Sequence, residues 1–195
     1  MPGIVCYLER YPQMQVDALF LDRTVNLLEE GLDVGVRIGE LPDSTLRARP
    51  VGSVRRILVA SPAYLEQRGV PEAPHALATH TVIASNAGDF SARWRFRFPE
   101  GEQSVKVKPR LTVASNDAAI EAAVEDFGIT RLLSYQVAQE MAEGRLVPVL
   151  ESFELPPSPI HIIHRSGIRS PAKVRAFIDL LAEHLQSNAA LNPEP

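Results

Sequence analysis

The spacing of apolar positions changes repeatedly along the chain, and the changes mark alternating helix and strand signals. Residues 4–11 predict a short helix stopped by Pro12, and residues 16–20 a strand. Asp22 or Thr24 caps a helix running to Glu30, with Gly31 where a left-handed residue closes a helix. Val34, Val36 and Ile38 then share one strand face, opposite Gly35 and Arg37. Residues 57–60 form a continuous apolar run, as expected of a strand buried on both faces. Ser61 and Pro62 open a helix ending at Gly69, and residues 81–84 predict a further strand. Residues 93–98 and 105–108 alternate, which predicts two antiparallel strands joined around Pro99-Glu100-Gly101. A strand over 110–113 leads to Ser115-Asn116-Asp117, three possible caps for a helix over 118–125. Strands follow at 129–133, 146–150 and 160–164, with a helix from Ser134 to Glu143. Ser170 and Pro171 open the last helix, where Val174, Phe177, Ile178, Leu181 and Leu185 fall on one face. This alternation predicts an α/β protein with a largely parallel sheet.

Composition narrows the picture. A chain of 195 residues with 45% hydrophobic and 23% charged positions is long enough for a sizeable core. Its net charge of −4 excludes a strongly basic nucleic-acid domain as its main identity. Cys6 is the one cysteine, so no internal disulfide forms, which fits a reducing compartment. The start has no basic n-region before Glu9 and Arg10 and does not read as a signal peptide. The longest uncharged stretch, residues 73–88, contains Pro74, His75, His80 and Asn86, and no membrane span is expected.

Searches for chemistry return little. No dinucleotide fingerprint, phosphate loop or nucleophile elbow occurs. His161 and His164 would point to opposite faces of one strand, so they do not share an ion. Glu29, Glu30 and Asp33 cluster at a helix end, where carboxylates are ordinarily solvated. In the run from Arg93 to Phe98, alternation separates Trp94, Phe96 and Phe98 from the arginines. The bases and phosphates of a nucleic acid would then meet different faces, and the aromatics read as core. No catalytic residue, metal ligand or cofactor is expected.

The ordered set of segments resembles the effector-binding domain of LysR-type transcriptional regulators. The resemblance rests on Asp22-Arg23-Thr24 through Gly31 to Val34-Gly35-Val36-Arg37-Ile38-Gly39, and on Val59-Ala60-Ser61-Pro62-Ala63-Tyr64-Leu65. It continues through Ser115-Asn116-Asp117, Gly128-Ile129, Gly144-Arg145-Leu146-Val147-Pro148 and the run from Pro171 to Leu181. It implies two Rossmann-like α/β lobes of the type-2 periplasmic-binding-protein kind, joined by two crossing strands around 57–60 and 160–164. The first lobe would take residues 1–60 with 160–188 and the second 61–159, leaving 189–195 as a disordered tail. A small-molecule effector would sit between the lobes. The implied effector-binding positions are Asp22, Arg23, Thr24, Arg37, Ile38, Ser85, Ser115, Asn116, Asp117, Arg131 and Leu133. They stand largely at strand ends and helix starts, where open α/β sheets place ligands.

Two departures from the family pattern stand out. Arg131 and Ser134 occupy positions where the family has a small or apolar residue and a proline. An arginine in a buried strand needs an acidic partner or a ligand. Arg131, with Arg23 or Arg37, is therefore expected to hold an anionic effector. The family's winged helix-turn-helix and its first effector-domain strand are also missing, and a fragment or a misplaced start is the expected explanation. DNA would be reached only through a DNA-binding domain absent from this chain. The resemblance further implies a cytoplasmic homodimer, or higher homo-oligomer, that pairs residues 4–11 of one copy with 118–125 of the other. A free-standing solute-binding protein of the same fold is the alternative, and an enzyme on a related scaffold a third.

Overall fold

The computed structural model describes residues 1–21, 26–27, 29–41, 46–86, 92–165 and 171–192. In chain order its elements begin with α1 (Pro2–Arg10), β1 (Val34–Ile38), β2 (Leu46–Val54), β3 (Arg56–Ala60), α2 (Pro62–Arg68) and β4 (Val82–Ser85). They continue with β5 (Arg93–Phe98), β6 (Gly101–Lys106), β7 (Leu111–Val113), α3 (Asn116–Val124) and β8 (Ile129–Leu133). The last are α4 (Ala138–Ala142), β9 (Val147–Val149), β10 (Ser158–Arg165) and α5 (Ala172–Gln186). These elements form two compact units, Met1–Val54 with Ser158–Pro195, and Arg55–Pro157.

In the first unit β10 is the centre of an antiparallel sheet ordered β1-β10-β2. Its Ile160 and Ile162 are buried, each contributing about 2–3 kcal/mol by leaving water. Helix α5 buries Val174, Ile178 and Ala182, one helical stripe at intervals of four. Helix α1 packs on it: the Tyr7 ring meets Phe177 edge-on at 5.1 Å, and its hydroxyl donates to the Lys173 carbonyl at 3.1 Å. Gly3 permits that approach, since a Cβ there would lie 3.2 Å from Leu181 Cδ1. The register of β10 on β2 shifts between Ile160 and His161, which face Gly52 and Pro50 and leave Val51 as the extra residue of a bulge.

The second unit has a five-stranded sheet ordered β7-β4-β8-β3-β9. Only β4 pairs in parallel, with β7 and β8, while β3 runs antiparallel to both its neighbours. The sheet is therefore mixed rather than largely parallel, because β3 enters it running opposite to both β8 and β9. One face packs Ile57, Val59, Ile83 and Leu132 against Ala119, Ile120 and Ala123 of α3. The other packs Leu58, Val82 and Ile129 against Trp94, Phe96 and Val105 of the β5–β6 hairpin. Ser61 caps α2, its hydroxyl accepting the Tyr64 N–H at 3.2 Å.

Three further expectations differ from the structure. The chain passes between the units at Val54/Arg55 and Pro157/Ser158. The runs 57–60 and 160–164 thus lie wholly inside the second and first units, because their pairing partners do, and neither is the crossing itself. Residues 16–20 are not strand: Leu19 and Phe20 are exposed and have no ladder among the described residues to join. The end of the chain is ordered as far as residue 192. Ala189–Leu191 form a 3-10 turn, and the Asn192 amide donates to the carbonyls of Leu185, Gln186 and Asn188 at 3.0–3.1 Å.

Candidate functional site

Asp22, Arg23 and Thr24 lie outside the described residues, so the structure bears only on the other candidates. In the first unit Arg37 and Ile38 end β1, and the next residue, Gly39, bends away with φ +107 while its N–H donates to Pro159 O at 2.8 Å. Arg37 is half-buried and sits opposite His161 of β10. It makes no hydrogen bond or ion pair among the described residues, and the buried His161 Nδ1 is likewise unpartnered among them.

In the second unit the parallel pairing of β4 with β7 aligns Ser85 with Val113. Ser115, just beyond β7, caps α3, with its hydroxyl accepting the Ala118 N–H at 3.2 Å. Asn116 and Asp117 occupy the first turn of α3, where a negative group is favoured. Ser85, Ser115, Asn116 and Asp117 are therefore gathered at the same end of the sheet, and Leu133 ends the neighbouring strand β8.

Arg131 is separated from that group by the sheet itself. Side chains alternate along β8, so Leu132 packs with α3 while Ile129 and Arg131 face the hairpin. The Arg131 guanidinium lies over the Trp94 ring, 4.9 Å from its centroid. Burial, and then the charges of Arg56 and Arg95, lower the Arg131 pKa to about 9. Arg95 is paired with Glu102 at 3.3 Å. Arg131 and Arg56 have neither a hydrogen bond nor an ion pair among the described residues. The expected acidic partner of Arg131 is thus not found among those residues, and an aromatic face takes its place.

Ser134, where the family has a proline, has a structural reason. The Ser134 N–H donates to Arg55 O at 2.8 Å, and its hydroxyl accepts the Arg55 N–H at 3.2 Å. A proline there would lose the first bond and a small apolar residue the second. Arg55 also reaches Glu154 at 3.1 Å, a carboxyl whose pKa burial raises.

Reading the sequence missed Arg56 and the role of Trp94. Both could have been found only by pairing: Arg56 faces Leu133 and Leu58 faces Arg131, which makes the two arginines diagonal neighbours on one face. A depression of about 570 Å³ in the second unit is lined by Asp117, Glu121, Glu125, Glu140 and Arg145 among others. Its acidic lining suits a cation or a protein surface better than an anion. No group of histidine, cysteine and carboxylate side chains able to hold a metal occurs among the described residues. No helix among them is long and apolar enough to cross a membrane.

The profile of the LysR substrate binding domain matches residues 2–186. The chain is 30% identical over 181 residues to the HTH-type transcriptional regulator CrgA of Neisseria meningitidis, spanning 92% of this chain and 60% of that protein. It is 33% identical over 181 residues to the HTH-type transcriptional regulator PtxR of Pseudomonas aeruginosa, spanning 92% and 57%. Among solved structures, the full-length Vibrio cholerae virulence activator AphB superposes with a TM-score of 0.82 at 27% identity, over 94% of this chain and 62% of that one. The isolated CrgA regulatory domain gives 0.76 at 28% identity, over 94% and 90%. The chain thus spans less than two thirds of the curated relatives it matches but nine-tenths of an isolated regulatory domain.

Proposed function

The chain belongs to the LysR substrate-binding domain family, with its two-lobe periplasmic-binding-protein-like fold and effector-sensing role, and from that premise we propose that its effector is a small organic anion. The observation that carries this reading is Arg131, a half-buried guanidinium with no carboxylate among the described residues. A buried cation without a counter-ion is costly, and a bound anion removes that cost. The polar group Ser85, Ser115, Asn116 and Asp117 lies across the sheet from Arg131 and takes no part in this anion contact.

On this reading the domain performs no chemistry. Binding shifts a conformational equilibrium, and a DNA-binding domain outside this sequence reads the shift in the cytoplasm. The matched relatives are named as transcriptional regulators, which supports this over a free-standing solute carrier. A thermal-shift screen of small organic acids tests it. A true effector at a hundredfold excess over its Kd adds about 2.7 kcal/mol of stability. Arg131→Ala should abolish the shift, and unchanged binding of every hit by that variant would remove the anion reading.

A further inference from the structure

We propose that Arg56, Arg131 and Trp94 together form a carboxylate-binding site on the hairpin face of the second unit. The proposal deepens the reading of the effector as an anion and rests on it. It adds two residues, a ligand class and a place.

The geometry starts from the register of β3 on β8. Arg56 faces Leu133 and Leu58 faces Arg131, so the two arginines stand diagonally on one sheet face. Such diagonal neighbours are about 7–8 Å apart, close enough for two guanidiniums to share one small ligand. The stem of Arg131 runs beside the apolar core that holds Leu58, Ile129 and Trp94. Its guanidinium then lies over the Trp94 ring at 4.9 Å. Trp94 is itself fixed, with 5% of its surface exposed. The stack therefore holds the guanidinium against a rigid platform, and a planar fork so held presents its N–H edge rather than its face. A carboxylate matches that edge with two parallel hydrogen bonds.

Arg56 is exposed, which keeps the site open to solvent from its side, and it supplies the second positive charge. Partial burial lowers its pKa too. Arg95, the third cation nearby, is paired with Glu102. Two like charges on adjacent strands, neither with an ion pair among the described residues, oppose folding unless something of opposite sign joins them. A purely structural role for Arg131, as a lid on Trp94, accounts for the stack. It does not account for a second arginine beside it that has no ion pair among the described residues.

Trp94 is the only tryptophan of the chain, so its fluorescence reports on this site alone. Benzoate, malonate and inorganic phosphate are titrated into the full chain at constant ionic strength, against sodium chloride. Saturable changes in Trp94 emission are expected with the carboxylates and not with chloride. Arg56→Gln, at an exposed position, should weaken carboxylate binding at least about tenfold, the effect of losing one charge-assisted hydrogen bond. Arg131→Lys keeps the charge but loses the fork and should weaken it comparably. Arg95→Gln, outside the pair, should stay within about twofold. Circular dichroism on each variant separates lost binding from lost folding.

A silent Trp94, or equal affinity in the wild type and Arg56→Gln, would overturn the proposal. Tighter binding of phosphate than of either carboxylate would overturn the ligand class. If the acid screen finds effectors whose thermal shifts need Arg131 while Trp94 and Arg56→Gln remain indifferent, this site fails and the anion-sensing reading stands. If no acid shifts the protein at all, both fail.

Discussion

Single residues set the tolerances of the second unit. Gly128 precedes β8 with its Cα against the Thr81 carbonyl, which also accepts the Ile129 N–H at 2.9 Å. A Cβ there would collide with that carbonyl. Gly128→Ala should therefore lose about 1–3 kcal/mol in urea unfolding, the range for forced overpacking. A loss of only a few tenths would show that the start of β8 gives way freely. Gly128 was legible as a helix stop, but the reason for glycine was not, because Thr81 is far away in sequence. Arg131 was legible as an anomaly for a simpler reason: a charge inside an apolar run conflicts with burial whatever the fold. Its partner was not legible, since Trp94 had been assigned to the core by alternation and nothing in the sequence brings β5 and β8 together.

At the scale of elements, a polar chain ties α2 to the start of β4. The Tyr64 hydroxyl accepts the Thr81 N–H at 2.9 Å and lies 3.1 Å from His80 Nδ1. With the ring neutral, Tyr64 donates to His80; a protonated ring has no lone pair to accept that bond. Burial, and then Arg68, lower the pKa of His80 in the folded chain. The unfolded chain thus takes up the proton first as pH falls. The contribution is fully present above about pH 6.5, the ordinary histidine value, and is lost progressively below it. The urea midpoint should fall between pH 7 and pH 5.5, and His80→Gln, which keeps an acceptor, should show a smaller fall. Equal falls would show that His80 takes no part. Most elements were readable in advance, α1, α5 and the β5–β6 hairpin among them, because each carries its own period and its own stop. The strand expected at 16–20 failed because a strand exists only with a partner for its backbone, and periodicity does not supply one.

At the scale of the whole molecule, the family relation carries an expectation about assembly. We propose a homodimer that sets α1 of one copy against α3 of another, consistent with the exposed Val5 on α1 and the exposed Met1 just before it. Sedimentation equilibrium should give a dimer at high concentration, and Val5→Glu should weaken it. Monomer alone across the accessible range would exclude the arrangement. The division of the chain into two units was foreseen in number but displaced in place: the boundary lies at Val54/Arg55 rather than after residue 60. The run 57–60 is apolar because it is buried within the second unit's sheet, not because it crosses.

The residue order alone determined the α/β alternation, most helix ends and the family, because caps, stops and hydrophobic period are local physics written within a few positions. Only the tertiary structure decided that Arg131 meets Trp94 and Arg56 rather than a carboxylate among the described residues. It also decided that the sheet places Arg131 away from Ser115 and Asp117. Strand register and sheet order make those choices, and both depend on pairings between segments that the chain keeps tens of residues apart.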